Sequence, residues 1–162
     1  MSDDDFTWAK EAGAEDKAKV EVAVRIGGDT PAGHSARDIV FARDLPTIWA
    51  QLVYAAETAT THYNEAFGLK DALECPGDKV QTTLTPSLTL HRKTPVRRAV
   101  VRTEQRDNSR FLHWSTVVDG KPYSERTYHL TIRDARVVIM DDQSRPVETE
   151  EIIRELFNGL RF

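Results

Sequence analysis

Apolar residues recur at the helical period over one long stretch, Asp44–Gly68, which predicts the central helix of the protein. Asp44 is placed to cap its N-terminus, Pro46 is tolerated in its first turn, and Gly68 suits its C-terminal end. One broad face would be apolar: Ile48, Trp49, Leu52, Val53, Ala55, Ala56, Ala59, Tyr63, Ala66 and Phe67. Because several of these residues are alanines, a sheet could approach the helix closely. We therefore expect a buried helix against which a sheet packs.

The period changes to two on either side of this helix, which predicts strands. Before the helix, the alternation predicts a strand over Lys19–Ile26, and a short apolar run predicts another over Asp38–Ala42. After the helix, five segments are predicted as strands: Lys79–His91, Val96–Arg106, Arg110–Val118, Pro122–Arg133 and Arg136–Met140. The strands and helices do not alternate regularly, so the order favours an α+β domain with an antiparallel sheet.

Two further patterns fix local details. Asp119-Gly120 predicts a two-residue hairpin turn in which Val118 pairs with Lys121. This register would place three pairs opposite each other: Thr116 and Tyr123, Trp114 and Glu125, and His113 and Arg126. A C-terminal helix is predicted to begin at Thr149 and to end at Gly159, with an apolar stripe formed by Ile152, Ile153, Leu156, Phe157 and Leu160. Residues 1–18 are expected to be an acidic tail or a loose helix, and residues 19–162 a single domain.

The composition is that of a globular protein. The chain has 162 residues, of which 40% are hydrophobic and 30% charged, and its formal net charge is -4. This charge does not favour nonspecific binding of nucleic acid. The chain contains no apolar run of about 18 residues that would span a bilayer, and its acidic start lacks the features of a secretory signal. The single cysteine, Cys75, agrees with a reducing compartment, so we expect a cytoplasmic protein without membrane partners.

Residues with catalytic or ligand-binding potential stand at a few positions. Glu57 lies at the margin of the apolar helix face, where a carboxylate could be partly desolvated, although a solvated helix glutamate has the same pattern. The aromatic residues Trp49, Trp114, Tyr54, Tyr63 and Tyr123 could line a pocket or simply form core. The five histidines stand singly and there is no cysteine set, so no metal site is predicted. The sequence also lacks a P-loop and the G-x-S-x-G motif of serine hydrolases.

Three segments resemble the hotdog-fold acyl-CoA thioesterases of the 4-hydroxybenzoyl-CoA thioesterase type. They are LVYAAETATTHYNEAFGL at 52–69, PGDKVQTTLTPSLTLHRKTPVRRAVVRTE at 76–104, and DDQSRPVETEEIIREL at 141–156. The resemblance implies a curled antiparallel sheet wrapped round one long helix, and a homodimer or tetramer with its sites between subunits. It implies hydrolysis of an acyl-CoA or acyl-carrier thioester. Coenzyme A would then be part of the substrate, and no separate cofactor is expected.

The resemblance also implies which residues do the chemistry. Glu57 matches the helix carboxylate that acts as base or nucleophile, and Asp44 matches the alternative carboxylate in the loop before the helix. Thr61, one turn after Glu57, could orient the carboxylate or a water, although threonines in helices usually bond the carbonyl four residues back. His91, Arg92, Lys93, Arg97 and Arg98 would meet the phosphates of coenzyme A, unless they form a solvated sheet edge and hairpin.

The loop before the helix departs from the family pattern. The segment GGDTPAGHS at 27–35 is similar in sequence to the family's loop but lies too far upstream. The segment ARDLPTIW at 42–49 is at the right distance from the helix but lacks the glycine. This leaves an alternative function open. The chain could be a non-catalytic hotdog module, or a cone-shaped module of the nuclear-transport-factor type, that binds a small apolar or acyl ligand.

Overall fold

A computed structural model describes residues 7–76, 87–93 and 95–160, with side chains from Lys10 onward. These residues form three helices, α1 (Thr7–Ile26), α2 (Pro31–Phe67) and α3 (Thr149–Leu160). They also form six strands: β1 (Leu73–Glu74), β2 (Ser87–Arg92), β3 (Arg97–Arg106), β4 (Ser109–Val118), β5 (Lys121–Arg133) and β6 (Arg136–Met140). The strands make one antiparallel sheet in the order in which they follow along the chain. The predicted α+β class with an antiparallel sheet is thus confirmed.

The chain divides into two compact units. The first comprises Met1–Asp44 and Ile132–Val137, and the second comprises Leu45–Thr131 and Val138–Phe162. The single domain expected over residues 19–162 stays a prediction. Across the described residues, none of the helices has both the length and the apolar character needed to cross a membrane.

Both strands predicted before the central helix are wrong, because Lys19–Ile26 and Asp38–Ala42 are helical. The alternation of Val20, Val22, Val24 and Ile26 is too short to establish a period of two, and the flanking alanine, glutamate and lysine residues are strong helix formers. The side chains follow the helical period, since Val20 and Val24 are half-buried whereas Val22 and Ile26 are exposed. For residues 1–18 the sequence predicted a tail or a loose helix; residues 7–18 form the first part of α1, and residues 1–6 lie outside the described ranges.

The central helix begins earlier than the sequence pattern predicted. Asp44 is not its N-cap, because α2 starts at Pro31 and continues without a break through Asp44. The hydroxyl of Thr30 accepts a hydrogen bond from the N–H of Gly33 at 3.1 Å, which is the N-capping contact, and Pro31 occupies the favoured first position. The predicted C-terminus is confirmed. Gly68 has φ +79° and its N–H donates to the carbonyl of Asn64 at 2.9 Å.

The strands after the helix agree closely with the prediction from Arg97 to Met140. For the predicted strand Lys79–His91, the structure shows β2 from Ser87, and residues 79–86 lie outside the described ranges. The turn at Asp119-Gly120 is confirmed by positive φ at both residues and by the pairing of Val118 with Lys121.

The predicted pairs beyond the hairpin turn are wrong by one residue. A register shift lies between Thr116 and Val117, so that the observed partners are Thr116 with Ser124, Trp114 with Arg126, and His113 with Thr127. The extra residue is Tyr123, which follows Pro122. Since proline has no N–H for the ladder, a bulge at this point is physically reasonable.

The core of the second unit consists of large apolar side chains from three sources. From α2 come Leu45, Trp49, Leu52, Val53 and Ala56; from the sheet, Leu88, Leu90, Val101, Leu112, Trp114 and Tyr128; and from α3, Ile152, Ile153, Leu156 and Leu160. Helix α3 packs against β3 and β4. The predicted C-terminal helix is therefore confirmed, except that Gly159 lies inside it rather than at its end. A Cβ atom at Gly159 would lie 2.9 Å from Cγ2 of Thr116, so glycine permits this close packing.

Candidate functional site: a groove between two helices

A surface groove lies between α2 and α3 in the second unit and has a volume of about 840 Å³. We call it the α2–α3 groove. Its walls are mainly alanine and aromatic side chains with a polar margin. The lining residues are Tyr54, Ala55, Thr58, Ala59, His62, Tyr63, Ala66 and Phe67 from α2, and Glu150, Ile153, Arg154, Phe157 and Asn158 from α3.

The helical period of α2 creates the groove by separating two rows of side chains. One row, with Leu52 and Ala56, turns into the core, whereas Ala55 and Ala59 are half-buried and line the groove. The sequence pattern assigned both rows to one buried face. The alanines expected to contact a sheet therefore form instead the floor of a cleft beside α3.

One end of the groove is aromatic. The rings of Tyr63 and Phe67 stack with their centroids 5.7 Å apart and an angle of 12° between planes. Phe157 of α3 meets Tyr63 edge-on at 6.3 Å and 62°. Both arrangements are favoured by the quadrupoles of the rings, so this end offers a rigid apolar surface.

The guanidinium of Arg92 lies close to the rings of Tyr63 and Phe67. Its Cζ atom is 5.7 Å from the ring centroid of Phe67 and 6.0 Å from that of Tyr63, distances at which a guanidinium is attracted to a ring face. Its side chain is 1% exposed, and Nη1 donates to the carbonyl oxygen of Leu160 at 3.1 Å. A cation at this position stabilises the C-terminal end of α3. The structure therefore places Arg92 in the interior, where a phosphate would not reach it.

The other residues predicted to meet coenzyme A phosphates are divided between two faces of the sheet. The register of β2 and β3 pairs His91 with Arg98 and Arg92 with Arg97, and neighbouring residues of a strand point to opposite faces. Arg98 is exposed and Arg97 is half-buried. The five basic residues are close in register but do not form one surface.

Carboxylates already occupy part of this basic region. Nζ of Lys93 lies 2.6 Å from Glu74 and 3.4 Å from Asp71, and the hydrogen bond to Glu74 raises the pKa of the lysine. Nδ1 of His91 lies 4.0 Å from the same Glu74. Glu74 belongs to β1, a strand that the sequence pattern did not predict. Any phosphate at Lys93 would have to displace these acidic partners.

The predicted catalytic pair Glu57 and Thr61 lies on α2 in the second unit. Glu57 is half-buried and does not line the groove, whereas its neighbour Thr58 does. The hydroxyl of Thr61 donates to the main-chain carbonyl of Glu57 at 3.0 Å. Of the two alternatives for Thr61, the local bond to the preceding turn is therefore the one observed.

Asp44 belongs to the first unit, where it joins α2 to the β5–β6 turn. Its carboxylate accepts hydrogen bonds from Nε of Arg43 at 2.6 Å and from the N–H of Val137 at 2.9 Å. Arg43 also donates to the carbonyl of Ala135 at 2.5 Å. The hydrogen bond from Arg43 lowers the pKa of Asp44, against the opposing effect of burial. These contacts give Asp44 a structural role in the first unit.

A polar cluster that the sequence analysis did not identify secures the α3 wall of the groove. Oε2 of Glu155 accepts a hydrogen bond from the hydroxyl of Tyr128 at 2.5 Å, and Oε1 accepts one from Nη1 of Arg126 at 2.5 Å. Nε1 of Trp114 donates to the Tyr128 oxygen at 3.4 Å. The alternation of β5 puts Arg126 and Tyr128 on the same face, but their partner on α3 cannot be recognised from local sequence.

Metal-ligating side chains do not gather in groups of three or more anywhere in the described ranges. Comparisons of this chain with protein-family models, with curated proteins and with solved structures found no match. The geometry of the groove is therefore the basis for a functional interpretation.

Proposed function

We propose that this protein binds a small apolar molecule or an acyl chain in the α2–α3 groove. The observation that carries the proposal is the combination of volume and lining. About 840 Å³ falls in the range of ligand sites, and the alanine and aromatic walls would gain free energy by losing contact with water. This is the binding function that the sequence left open as the alternative to catalysis.

The groove also suggests how a ligand would be oriented. At the N-terminal end of α3, a smaller cleft shares Tyr54, Ala55 and Glu150 with the groove and adds the polar residues Gln51, Glu148 and Thr149. The opposite end is lined by the rings of Tyr63, Phe67 and Phe157. An apolar tail would lie along the alanines toward the rings, and a polar head would remain at the hydrated end.

The proposal is tested with uncharged straight-chain alcohols of increasing length, by calorimetric titration and by thermal melting. Uncharged head groups avoid repulsion by Glu148 and Glu150 at the polar end. A ligand at a hundredfold excess over its Kd stabilises the native state by about 2.7 kcal/mol, which raises Tm by about 5–10 °C for a chain of this size. Ala59→Leu fills the floor of the groove and should abolish this rise. Ala50→Leu, at an exposed position of the same helix outside the groove, is the matched control and should bind like the wild type.

Two results would contradict the proposal. One is the absence of stabilisation and heat across the whole series with folded protein. The other is equal binding by Ala59→Leu and Ala50→Leu, which would place the ligand elsewhere.

Hydrolysis of a thioester, expected from the resemblance, stays a prediction that acyl-CoA substrates test directly. The long helix and six-stranded antiparallel sheet are compatible with the hotdog arrangement on which that expectation rests. If the protein only binds its ligand, it should bind acyl groups without releasing free thiol from acyl-CoA. Turnover that depends on Glu57 would favour the enzyme instead.

A further inference from the structure

Helix α1 presents an apolar strip to solvent. Val22 is 52% exposed and Ile26 is 76% exposed, and together with Ala18 they line a shallow depression of about 620 Å³. Every side chain from Lys10 to Lys19 is exposed as well. Large aliphatic residues recurring on one helix face are the usual mark of a surface that packs against something.

Among the described residues of its own unit, little stabilises the first half of this helix, since the side chains from Lys10 to Lys19 are exposed. Isolated helices of this length are marginal in water, since most helical stability in proteins comes from packing. Lys19 pairs with Glu15 at 2.8 Å and Lys17 with Glu21 at 3.8 Å, but such pairs contribute only about 0.2–0.5 kcal/mol each. A partner that covers the strip would supply what these pairs do not.

We propose that this partner is the α1 helix of a second copy of the chain, packed antiparallel about a two-fold axis near Ala18. The charges on the strip support this arrangement. At 100° per residue, Glu11 and Glu15 lie on the N-terminal half of the face, and Lys19 and Arg25 on its C-terminal half. An antiparallel pair brings each acidic half against the basic half of the other copy, whereas a parallel pair would bring like charges together.

The position of Ala18 supports the same arrangement. Ala18 lies on the strip at the level of the two-fold axis, where its small side chain permits the two helices to approach closely. Val22 and Ile26 then contribute apolar contact on either side of the axis.

The experiment measures the oligomeric state of the full chain by sedimentation equilibrium over a wide concentration range. The wild type should show a monomer–dimer equilibrium. The double variant Val22→Gln, Ile26→Gln introduces glutamine, a good helix former, and removes the apolar contact. It should raise the dissociation constant of the dimer by roughly tenfold or more. Lys17→Gln, on the opposite side of α1, is the control and should leave the equilibrium unchanged.

A charge exchange distinguishes pairing between copies from an effect within one helix. Glu11→Arg alone and Arg25→Glu alone should each weaken the dimer, and the double variant should restore it. Within one helix these positions are about 21 Å apart, so they cannot compensate each other there. Circular dichroism confirms that each variant keeps its helix content.

A chain that stays monomeric at every concentration would overturn the proposal, even if α1 binds some other protein. So would a dimer that tolerates Val22→Gln with Ile26→Gln, or a double charge variant that remains as weak as the single ones. Ligand binding in the α2–α3 groove is measured separately, and neither result depends on the other.

Discussion

The hydroxyl of Tyr128 donates a 2.5 Å hydrogen bond to the carboxylate of Glu155 and thereby ties β5 to α3. Tyr128 is fully buried, and Arg126 holds the second oxygen of the same carboxylate. Since α3 forms one wall of the groove, this contact holds that wall against the sheet. The polar cluster thus connects the packing of the sheet to the proposed binding function.

Tyr128→Phe should lower the free energy of unfolding by about 1–3 kcal/mol. The indole N–H of Trp114 and the carboxylate of Glu155 would each lose the hydrogen bond that they make with the Tyr128 hydroxyl. Urea denaturation at neutral pH measures this loss. Tyr123→Phe removes the same atom from a side chain that is 69% exposed, and should change stability by less than about 0.5 kcal/mol. Equal effects of the two substitutions would show that the Glu155 contact contributes nothing to stability.

The raised pKa of Tyr128 predicts that the free energy of unfolding depends on pH in the alkaline range. Burial, reinforced by the bond to Glu155, raises the pKa of Tyr128 above its ordinary value of 10.0. The stabilisation is therefore fully present below pH 10 and is lost as the pH rises from there toward the folded-state pKa, because only the unfolded chain releases the proton. The loss should reach about 1.4 kcal/mol per pH unit relative to Tyr128→Phe. Parallel pH profiles for the two proteins would contradict it.

Asp44 gives the opposite pH dependence in the first unit. Its pKa is lowered by the hydrogen bond from Arg43, so its contribution is present above the unfolded value of 3.8 and is lost as the pH falls through the folded value. Asp44→Asn should cost about 1 kcal/mol at neutral pH, a modest amount because the ion pair with Arg43 is partly exposed. The difference from wild type should shrink in acid. Ligand binding in the groove should be unaffected, because Asp44 does not line it.

The sequence predicted best those elements whose signals are local. The Asp119-Gly120 turn and the C-cap at Gly68 follow from the backbone conformations that glycine permits, and both are present. Thr30-Pro31 was an equally local signal for the start of α2, but the strand assigned to Asp38–Ala42 concealed it. Short valine-rich runs fit both periods, and only their surroundings decide between helix and strand.

The site was predicted less well because it depends on long-range contacts. Tyr54 and Tyr63 were recognised as possible pocket residues, and both line the groove. The burial of Arg92 depends on the carbonyl of Leu160 and on rings from α2, which are remote in sequence. The register shift at Tyr123 likewise moved every later pair by one residue. No periodicity in the chain carries this information.

Gly159→Ala should destabilise the protein although alanine is the better helix former. The new Cβ would lie 2.9 Å from Cγ2 of Thr116, a buried residue whose hydroxyl is fixed by a bond to Ser124. We expect a loss of about 1–3 kcal/mol by chemical denaturation, which exceeds the propensity gain of about 0.5–1 kcal/mol.

Two variants complete this test. Thr116→Ser removes Cγ2, so the double variant should recover most of the loss caused by Gly159→Ala. Gly13→Ala lies on α1 with no described atom within 4 Å of the new Cβ, and should stabilise the helix by about 0.5–1 kcal/mol. If Gly159→Ala also stabilises, the close packing of α3 on β4 does not restrict this position.

Glu57→Gln separates binding from catalysis at the groove. The substitution preserves shape while removing the carboxylate that would activate water or attack a thioester. If the protein only binds its ligand, Glu57→Gln and the wild type should have the same affinity for acyl ligands, because Glu57 does not line the groove. Neither protein should then release free thiol from acyl-CoA. Thiol release is followed with a thiol-reactive dye, and affinity by calorimetry on the same samples. Wild-type turnover that Glu57→Gln abolishes, with affinity unchanged, would establish the thioesterase and reject a purely binding role.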